Sequence, residues 1–273
     1  MGVIKVRAPA TSANLGPGFD AAAVAFELWN ELEVSDGGDG PLDDKHLAVR
    51  AFARFASPAG RTFVFTDRIP RERGLGSSAA VVALGLVAGA LTAGDDLSAD
   101  ELLAEGLAFE GHADNLAAAL VGGVCLTWDG QIARIADEMP AAAVAVVPQE
   151  HVSTVQARAA LPAEVPLADA AFSTARAALL GAAIASSDAR LLAAATDDRL
   201  HEPYRGRHAP HLAAIRENLP PGALGATLSG SGPTVIVWVE RESAPAVAVE
   251  LATRYPEHEI YHLAVAATGA GPT

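Results

Sequence analysis

The sequence predicts an α+β protein, on three observations. Strand-like and helical stretches follow one another without a steady βαβ rhythm, composition changes near Pro148, and 273 residues with 51% hydrophobic content allow one large or two modest domains. The composition change divides the chain into domains 1–148 and 149–273.

Residues 3–6 (VIKV) open with a short strand, and a polar, glycine-containing loop runs over 9–18. Alternation predicts a strand over 24–34, helical period covers 42–56, and 61–66 (RTFVFT) is a β-branched and aromatic strand. A charged turn, 70–76, leads into an Ala-rich helix from Ser77 to about Leu91. A second helix covers 100–109, and strand-like runs follow at 124–128 and 142–147. Beyond Pro148 come helices over 154–160, 167–184 and 189–197. Strands at 223–228 and 234–239 bracket a glycine–serine loop, before a helix over 244–254 and a strand over 259–265. No solenoid-period repeat or low-complexity linker breaks this order.

Acidic residues number 33 against 19 basic, a formal net charge of -14. Such a chain repels phosphate backbones and anionic bilayers, which argues against nucleic acid and membrane surfaces as general partners. The single cysteine, Cys125, excludes an intramolecular disulfide and a cysteine-based zinc site. Residues 1–10 carry no apolar signal core, and Val6 breaks the myristoylation pattern. The most membrane-like stretch, 79–91, is shorter than the ~20 residues a bilayer requires and reads as a buried helix. A cytoplasmic protein is expected.

The most informative segment is Gly74-Leu75-Gly76-Ser77-Ser78-Ala79-Ala80. Its glycines let the backbone turn sharply and approach a ligand, and the helix that follows turns its unpaired amides and positive dipole end toward whatever the loop encloses. That is a phosphate site. A Walker loop needs Gly-Lys-[Ser/Thr], and the only lysines are Lys5 and Lys45. A dinucleotide fingerprint fits superficially through Gly74, Gly76 and Ala79, with Asp95 or Asp96 downstream. However, Pro70-Arg71-Glu72-Arg73 stands where the feeding strand should be. A glycine turn with serine caps is the lesser, purely structural alternative for the loop taken alone.

Two further loops carry unusual chemistry. In the 9–20 segment, PATSANLGPGFD, Asn14 and Asp20 can between them donate to and accept from an amine or hydroxyl. In 229–233, SGSGP, the amides around Gly230, Ser231 and Gly232 can form an anion-binding nest, or simply a hairpin turn. No G-x-S-x-G elbow occurs, which removes the simplest hydrolase reading.

Taken together, PATSANLGPGFD, GLGSSAA and LSGSGPT resemble, in order, the three motifs of GHMP kinases, in forms close to those of the homoserine kinases. Glu110-Gly111-His112-Ala113-Asp114-Asn115 is similar to the E-G-H-x-D-N segment of that family. Arg158 and Arg205 fall where the family carries its substrate-carboxylate arginines. The joint match spans residues 6 to about 239. Three positions depart from the pattern: Ala23 replaces a glycine, 35–44 is short, and Ala117 or Ala118 replaces a proline.

The resemblance implies a two-domain fold, with a first domain like domain 2 of ribosomal protein S5, a ferredoxin-like second domain and the active site between them. It implies ATP, Mg²⁺ and L-homoserine as ligands. Pro70, Arg71, Arg73 and the 74–80 loop would bind ATP, with Ser78 and Glu110 on the metal. Asp20, with Asn14 beside it, would meet the substrate ammonium and Arg158 and Arg205 its carboxylate. Asn115 would orient the hydroxyl, His112 would position or pack, and Gly230, Ser231 and Gly232 would line the substrate. Asp114 is expected to be structural rather than a general base, and no role is expected for His201. Dimers are common in the family, and the sequence leaves oligomeric state open. Two alternatives remain: a GHMP kinase for another hydroxylated acceptor, mevalonate- or sugar-type, and a non-catalytic sensor on the same fold.

Overall fold

Two antiparallel sheets organise residues 2–37 and 43–273, the residues described in this computed structural model. The first sheet comprises β1 (Ile4–Asn14), β2 (Gly18–Asp36), β3 (Arg61–Thr66), β4 (Val124–Trp128), β5 (Gln131–Ala136) and β10 (Gly271–Pro272). Its order is β10-β1-β2-β4-β5, with β3 also paired to β2. Four helices accompany it: α1 (Leu47–Phe52), α2 (Ser77–Ala93), α3 (Ala99–Gly106) and α4 (Ala113–Val121).

The second sheet has the order β7-β8-β6-β9, with β6 (Ala142–Val147), β7 (Ala223–Leu228), β8 (Val235–Val239) and β9 (Glu259–Leu263). Its helices are α5 (Thr154–Ala159), α6 (Leu167–Ser186), α7 (Ala189–Ala194), α8 (Glu202–Arg205), α9 (Pro210–Glu217) and α10 (Ala244–Arg254). By sheet membership the changeover falls between β5 and β6, ahead of the composition change at Pro148.

The strand alternation of the second sheet fixes its packing. Val144, Val146, Val235 and Val237 face Leu212 and Ile215 of α9 and Val247 and Leu251 of α10. Ala143, Ala145, Ile236 and Trp238 point the other way, into the large core shared with β1, β2, α2 and α4. The chain also stitches the sheets together, because after β9 Ala266 donates to the carbonyl of Ala25 and accepts from Gly123.

Several expected boundaries move. The polar stretch 9–14 continues β1 instead of forming a loop, since Thr11 and Ser12 are fully buried and find hydrogen-bond partners in other segments. The turn shrinks to 15–17. The helix expected over 42–56 is six residues, α1, with His46 accepting from the Ala48 amide at its start. The short 35–44 stretch includes 38–42, which lie outside the described residues. Ala23 sits opposite Ala13 in the β1–β2 ladder. The elements α4, β5, α8, α9 and β10 were not expected from the sequence. Both α8 and α9 begin with proline in the first turn, where its missing N–H and fixed φ cost nothing.

The 79–91 stretch lies within α2, whose residues from Ala79 to Ala90 are buried. Among the described residues α6 is the one helix long and apolar enough to cross a membrane, with mean hydropathy 1.3. It places Leu180, Ala183 and Ile184 in the shared core and carries Asp169 and Arg176.

Candidate active site

The three small-residue loops meet at one point between the sheets. The Ala-rich sequence of α2 favours helix strongly, and Gly94 ends it in the left-handed conformation. At its other end the N-cap is Gly76, with no side chain to cap the first turn, so Ser77 and Ser78 start the helix rather than capping it. The first-turn amides therefore have no side-chain cap.

Gly74 and Gly76 are required by crowding. A Cβ on Gly74 would lie 2.4 Å from the Ser229 carbonyl oxygen, and one on Gly76 would lie 1.8 Å from Thr11 Oγ1, with φ at +82° and +65°. Main-chain bonds join the loops, from Thr11 N to Leu75 O at 3.1 Å and from Gly230 N to Ala13 O at 3.0 Å. Ser229 Oγ donates to Gly74 O at 2.6 Å and can accept from Ser12 Oγ at 2.8 Å. Asn115, in the first turn of α4, accepts from Thr11 Oγ1 at 2.7 Å.

A cavity of about 440 Å³ opens at this junction. Arg71, Gly74, Gly76, Ser77, Ser78 and Ala79 line it, together with Glu110, Asn115, Gly230 and Ser231. The lining also includes residues that sequence reading missed: His46 and Leu47 at the start of α1, Val81 in α2, and 152–154 at the start of α5. No motif marks them, since only the tertiary fold brings these scattered residues together. Glu72 holds the 152–154 segment through its carbonyl, which accepts from Val152 N at 3.0 Å.

Other expected ATP contacts lie outside this lining. Leu75 and Ala80 are buried beneath the loop, and Pro70 is half-buried at the turn. Arg73 turns away: its guanidinium pairs with Glu259 at 3.2 Å and reaches Gln149 Oε1 at 3.5 Å. Arg71, two residues earlier, lines the cavity and pairs with Asp67.

Ser78 Oγ donates to the Glu110 carboxylate at the cavity edge. Partial burial pushes the Glu110 carboxyl above its ordinary value, against the opposing pull of the Ser78 hydroxyl and His112. Among the described residues no group of three or more His, Cys, Asp or Glu could hold a metal ion.

A cluster of charge sits beside the junction, outside the cavity lining. Arg158, on α5, forms a bidentate ion pair with Asp20. Arg205, at the end of α8, is 3% exposed and donates to the Gly230 carbonyl at 3.2 Å, and its Nε has no partner. Both guanidiniums approach the Phe19 ring, each 5.3 Å from its centroid. Asn14 braces the cluster by donating to Gly230 O at 2.8 Å and accepting from the Asp20 amide at 3.0 Å. Asn14, Leu15 and Asp20 all adopt positive φ, the kind of local strain that persists where surrounding structure holds it. His112 precedes α4 without capping it by side chain, and Gly232 precedes Pro233 in a cis peptide. Asp114 is buried, which raises its carboxyl to about 6, and the neighbouring Asp20 charge adds to the rise.

The GHMP kinases N-terminal domain family matches residues 45–123 and the GHMP kinases C-terminal family matches 176–257. Homoserine kinase from Streptomyces avermitilis is 40% identical over 270 residues, covering 90% of this chain and 88% of its own. The chain belongs to the GHMP kinase family. A second relative of this GHMP kinase, homoserine kinase from Gloeobacter violaceus, is 38% identical and covers 94% of each chain. Among solved structures, homoserine kinase from Cytophaga hutchinsonii superposes with a TM-score of 0.87 at 26% identity. That match covers 100% of this chain and 98% of the other. The two sheets are therefore the two domains of a GHMP kinase, an ATP-dependent small-molecule kinase.

Proposed function

We propose that this kinase transfers the γ-phosphoryl group of ATP to the hydroxyl of L-homoserine, giving ADP and O-phospho-L-homoserine in threonine biosynthesis. The observation that carries the acceptor assignment is the charge cluster. Arg158 and Arg205 stand beside Asp20, within the reach of one small zwitterion, and Arg205 is buried with an unpartnered Nε–H. A buried guanidinium with an open donor is suited to one more acceptor, and a carboxylate supplies it with opposite charge. A sugar or an uncharged alcohol has no carboxylate to give it.

The triphosphate would rest on the amides of the Gly74–Ser78 turn and the α2 N-terminus, with Arg71 meeting residual charge and the base against the His46–Leu47 wall. Ser78 and Glu110 offer a hydroxyl and a carboxylate, hard oxygens suited to Mg²⁺, with phosphates and water to complete its shell. When bound, the ion would neutralise charge on the transferring group.

The protein's own part is positioning. Asp20 and the two arginines fix the ends of the amino acid, and Asn115 orients its hydroxyl toward the phosphoryl group. The substrate oxygen forms its bond to phosphorus as the bond to the ADP oxygen breaks, and the hydroxyl proton passes to a phosphoryl oxygen. A loose transition state needs little nucleophile activation, so Asp114 is not required as a base. ATP and an amino acid as substrates support a cytoplasmic site of action.

An ADP-release assay over hydroxylated metabolites tests the reading. Turnover with L-homoserine, dependent on added Mg²⁺, is expected. Turnover with mevalonate or a sugar instead would reassign the acceptor, and nucleotide binding without turnover on any compound would make the protein a sensor.

A further inference from the structure

His201 has no part in the chemistry above, yet the acceptor cluster is built around it. Its side chain is fully buried. Nε2 lies 2.8 Å from the carbonyl oxygen of Gly16, in the turn between β1 and β2. A carbonyl can only accept, so Nε2 carries the ring proton and Nδ1 presents a lone pair. Arg205 Nη1 donates to that lone pair at 3.3 Å. The imidazole also stacks on Phe19, with centroids 5.0 Å apart and planes 18° from parallel.

The backbone beneath His201 is equally constrained. The buried Asp198 carboxylate accepts from the amides of Leu200, His201 and Glu202 and from Ser173 Oγ. Glu202 in turn accepts from Leu228 N at 2.7 Å, at the end of the strand that enters the Gly230 loop. Burial holds the imidazole pKa down to about 4, although Asp198 and the Gly16 carbonyl pull it upward. The ring beside Arg205 is therefore neutral in the physiological range and can accept from it.

We propose that His201 is a positioning residue for the acceptor: as the Nε2–H tautomer it orients the Arg205 guanidinium and locks it to the Gly16 turn that precedes Asp20. This rests on the reading that Arg205 binds the substrate carboxylate. What sets His201 apart from a merely packed histidine is the identity of its two partners, the Gly16 turn and the Arg205 guanidinium, both parts of the acceptor cluster.

Two replacements separate the contacts. His201→Asn keeps an acceptor near the Nδ1 position but cannot reach Gly16, whereas His201→Gln reaches Gly16 but leaves Arg205 without its acceptor. Steady-state kinetics on both, beside Arg205→Ala, are expected to give a homoserine KM raised roughly tenfold in His201→Gln and by less in His201→Asn, with the ATP KM unchanged. If Arg205→Ala raises the homoserine KM but both folded His201 variants leave it at the wild-type value, the positioning role is overturned while the carboxylate reading stands. If Arg205→Ala itself leaves the KM unchanged, the carboxylate reading fails first. Equal losses in both variants, tracking a lower Tm and a raised ATP KM, would reduce His201 to a packing residue. Should the variants fail to fold, ¹⁵N shifts of the imidazole in the intact enzyme decide: an Nε2–H tautomer at neutral pH is required, and an Nδ1–H or doubly protonated ring overturns the proposal.

Discussion

Arg158 and Asp20, 138 residues apart, meet in a bidentate ion pair with Nη1 2.8 Å from Oδ1 and Nη2 2.7 Å from Oδ2. These are the two charges that would hold opposite ends of the amino acid. Both side chains are partly exposed, at 43% and 33%, so the pair adds only about 0–1 kcal/mol to stability. A zwitterion that gives each charge a new partner can open it cheaply. Arg158→Ala is therefore expected to raise the homoserine KM roughly 10- to 100-fold while moving Tm by no more than about 3 °C. An unchanged KM would count against the amino-acid acceptor.

Gly76→Ala should cost both stability and nucleotide affinity. The new Cβ would sit 1.8 Å from Thr11 Oγ1 and 3.2 Å from Asn115 Oδ1, at a φ of +65°. Strain and overpacking of this kind cost about 1–3 kcal/mol each. Chemical denaturation and ATP titration measure the two losses, and adding Thr11→Ala should restore part of the first. Wild-type ATP affinity in the single variant would show that the loop does not hold phosphate.

Glu110→Gln separates charge from shape, because glutamine can still accept from Ser78. A lower kcat, by roughly 10- to 100-fold, and a higher Mg²⁺ requirement are expected in a metal titration. Stability at neutral pH should not fall. The folded state holds the Glu110 proton more readily than the unfolded chain, so its ionised form opposes folding. Unaltered Mg²⁺ dependence would remove Glu110 from the metal.

Asp114 provides a pH signature. Its folded pKa of about 6 lies above the ordinary 3.8, so between those values the folded protein binds more protons and stability declines as pH rises. Above about pH 6 the full penalty is present. Asp114→Asn removes the titration, and denaturation at several pH values should show a gain of roughly 2–3 kcal/mol near pH 7.5 that fades toward pH 4. Its kcat should stay within about tenfold of wild type. A loss approaching a thousandfold would instead identify Asp114 as the proton acceptor.

Legibility in the sequence followed burial. The strands Arg61–Thr66, Val124–Trp128, Ala142–Val147 and Ala223–Leu228 and the helix Ala244–Arg254 coincide with their expected limits, because each is an apolar periodic run facing one layer. The second half of β1 was hidden because Thr11 and Ser12 are polar strand residues, satisfied only by partners more than a hundred positions away. Arg71 and Arg73 look equivalent in sequence, yet one lines the cavity while the other bonds to Glu259, a partner no local pattern specifies. The part of the cavity lining at His46 and Val152 was hidden for the same reason. His201 was passed over because its meaning lies in Gly16 and Arg205, which the chain brings to it only on folding.

Where Gly74 approaches Ser229 and Gly232, the facing atoms are peptide oxygens. A point mutation can alter a side chain but cannot delete a carbonyl. The turn that would grip the nucleotide is thus held largely by the course of the main chain, with the Arg71, Ser78 and Glu110 side chains added to it, while the half that would choose its alcohol rests on side chains such as Asp20, Arg158 and Arg205. Selection could rewrite the second without disturbing the first, so one inherited phosphate grip can serve descendants with different acceptors.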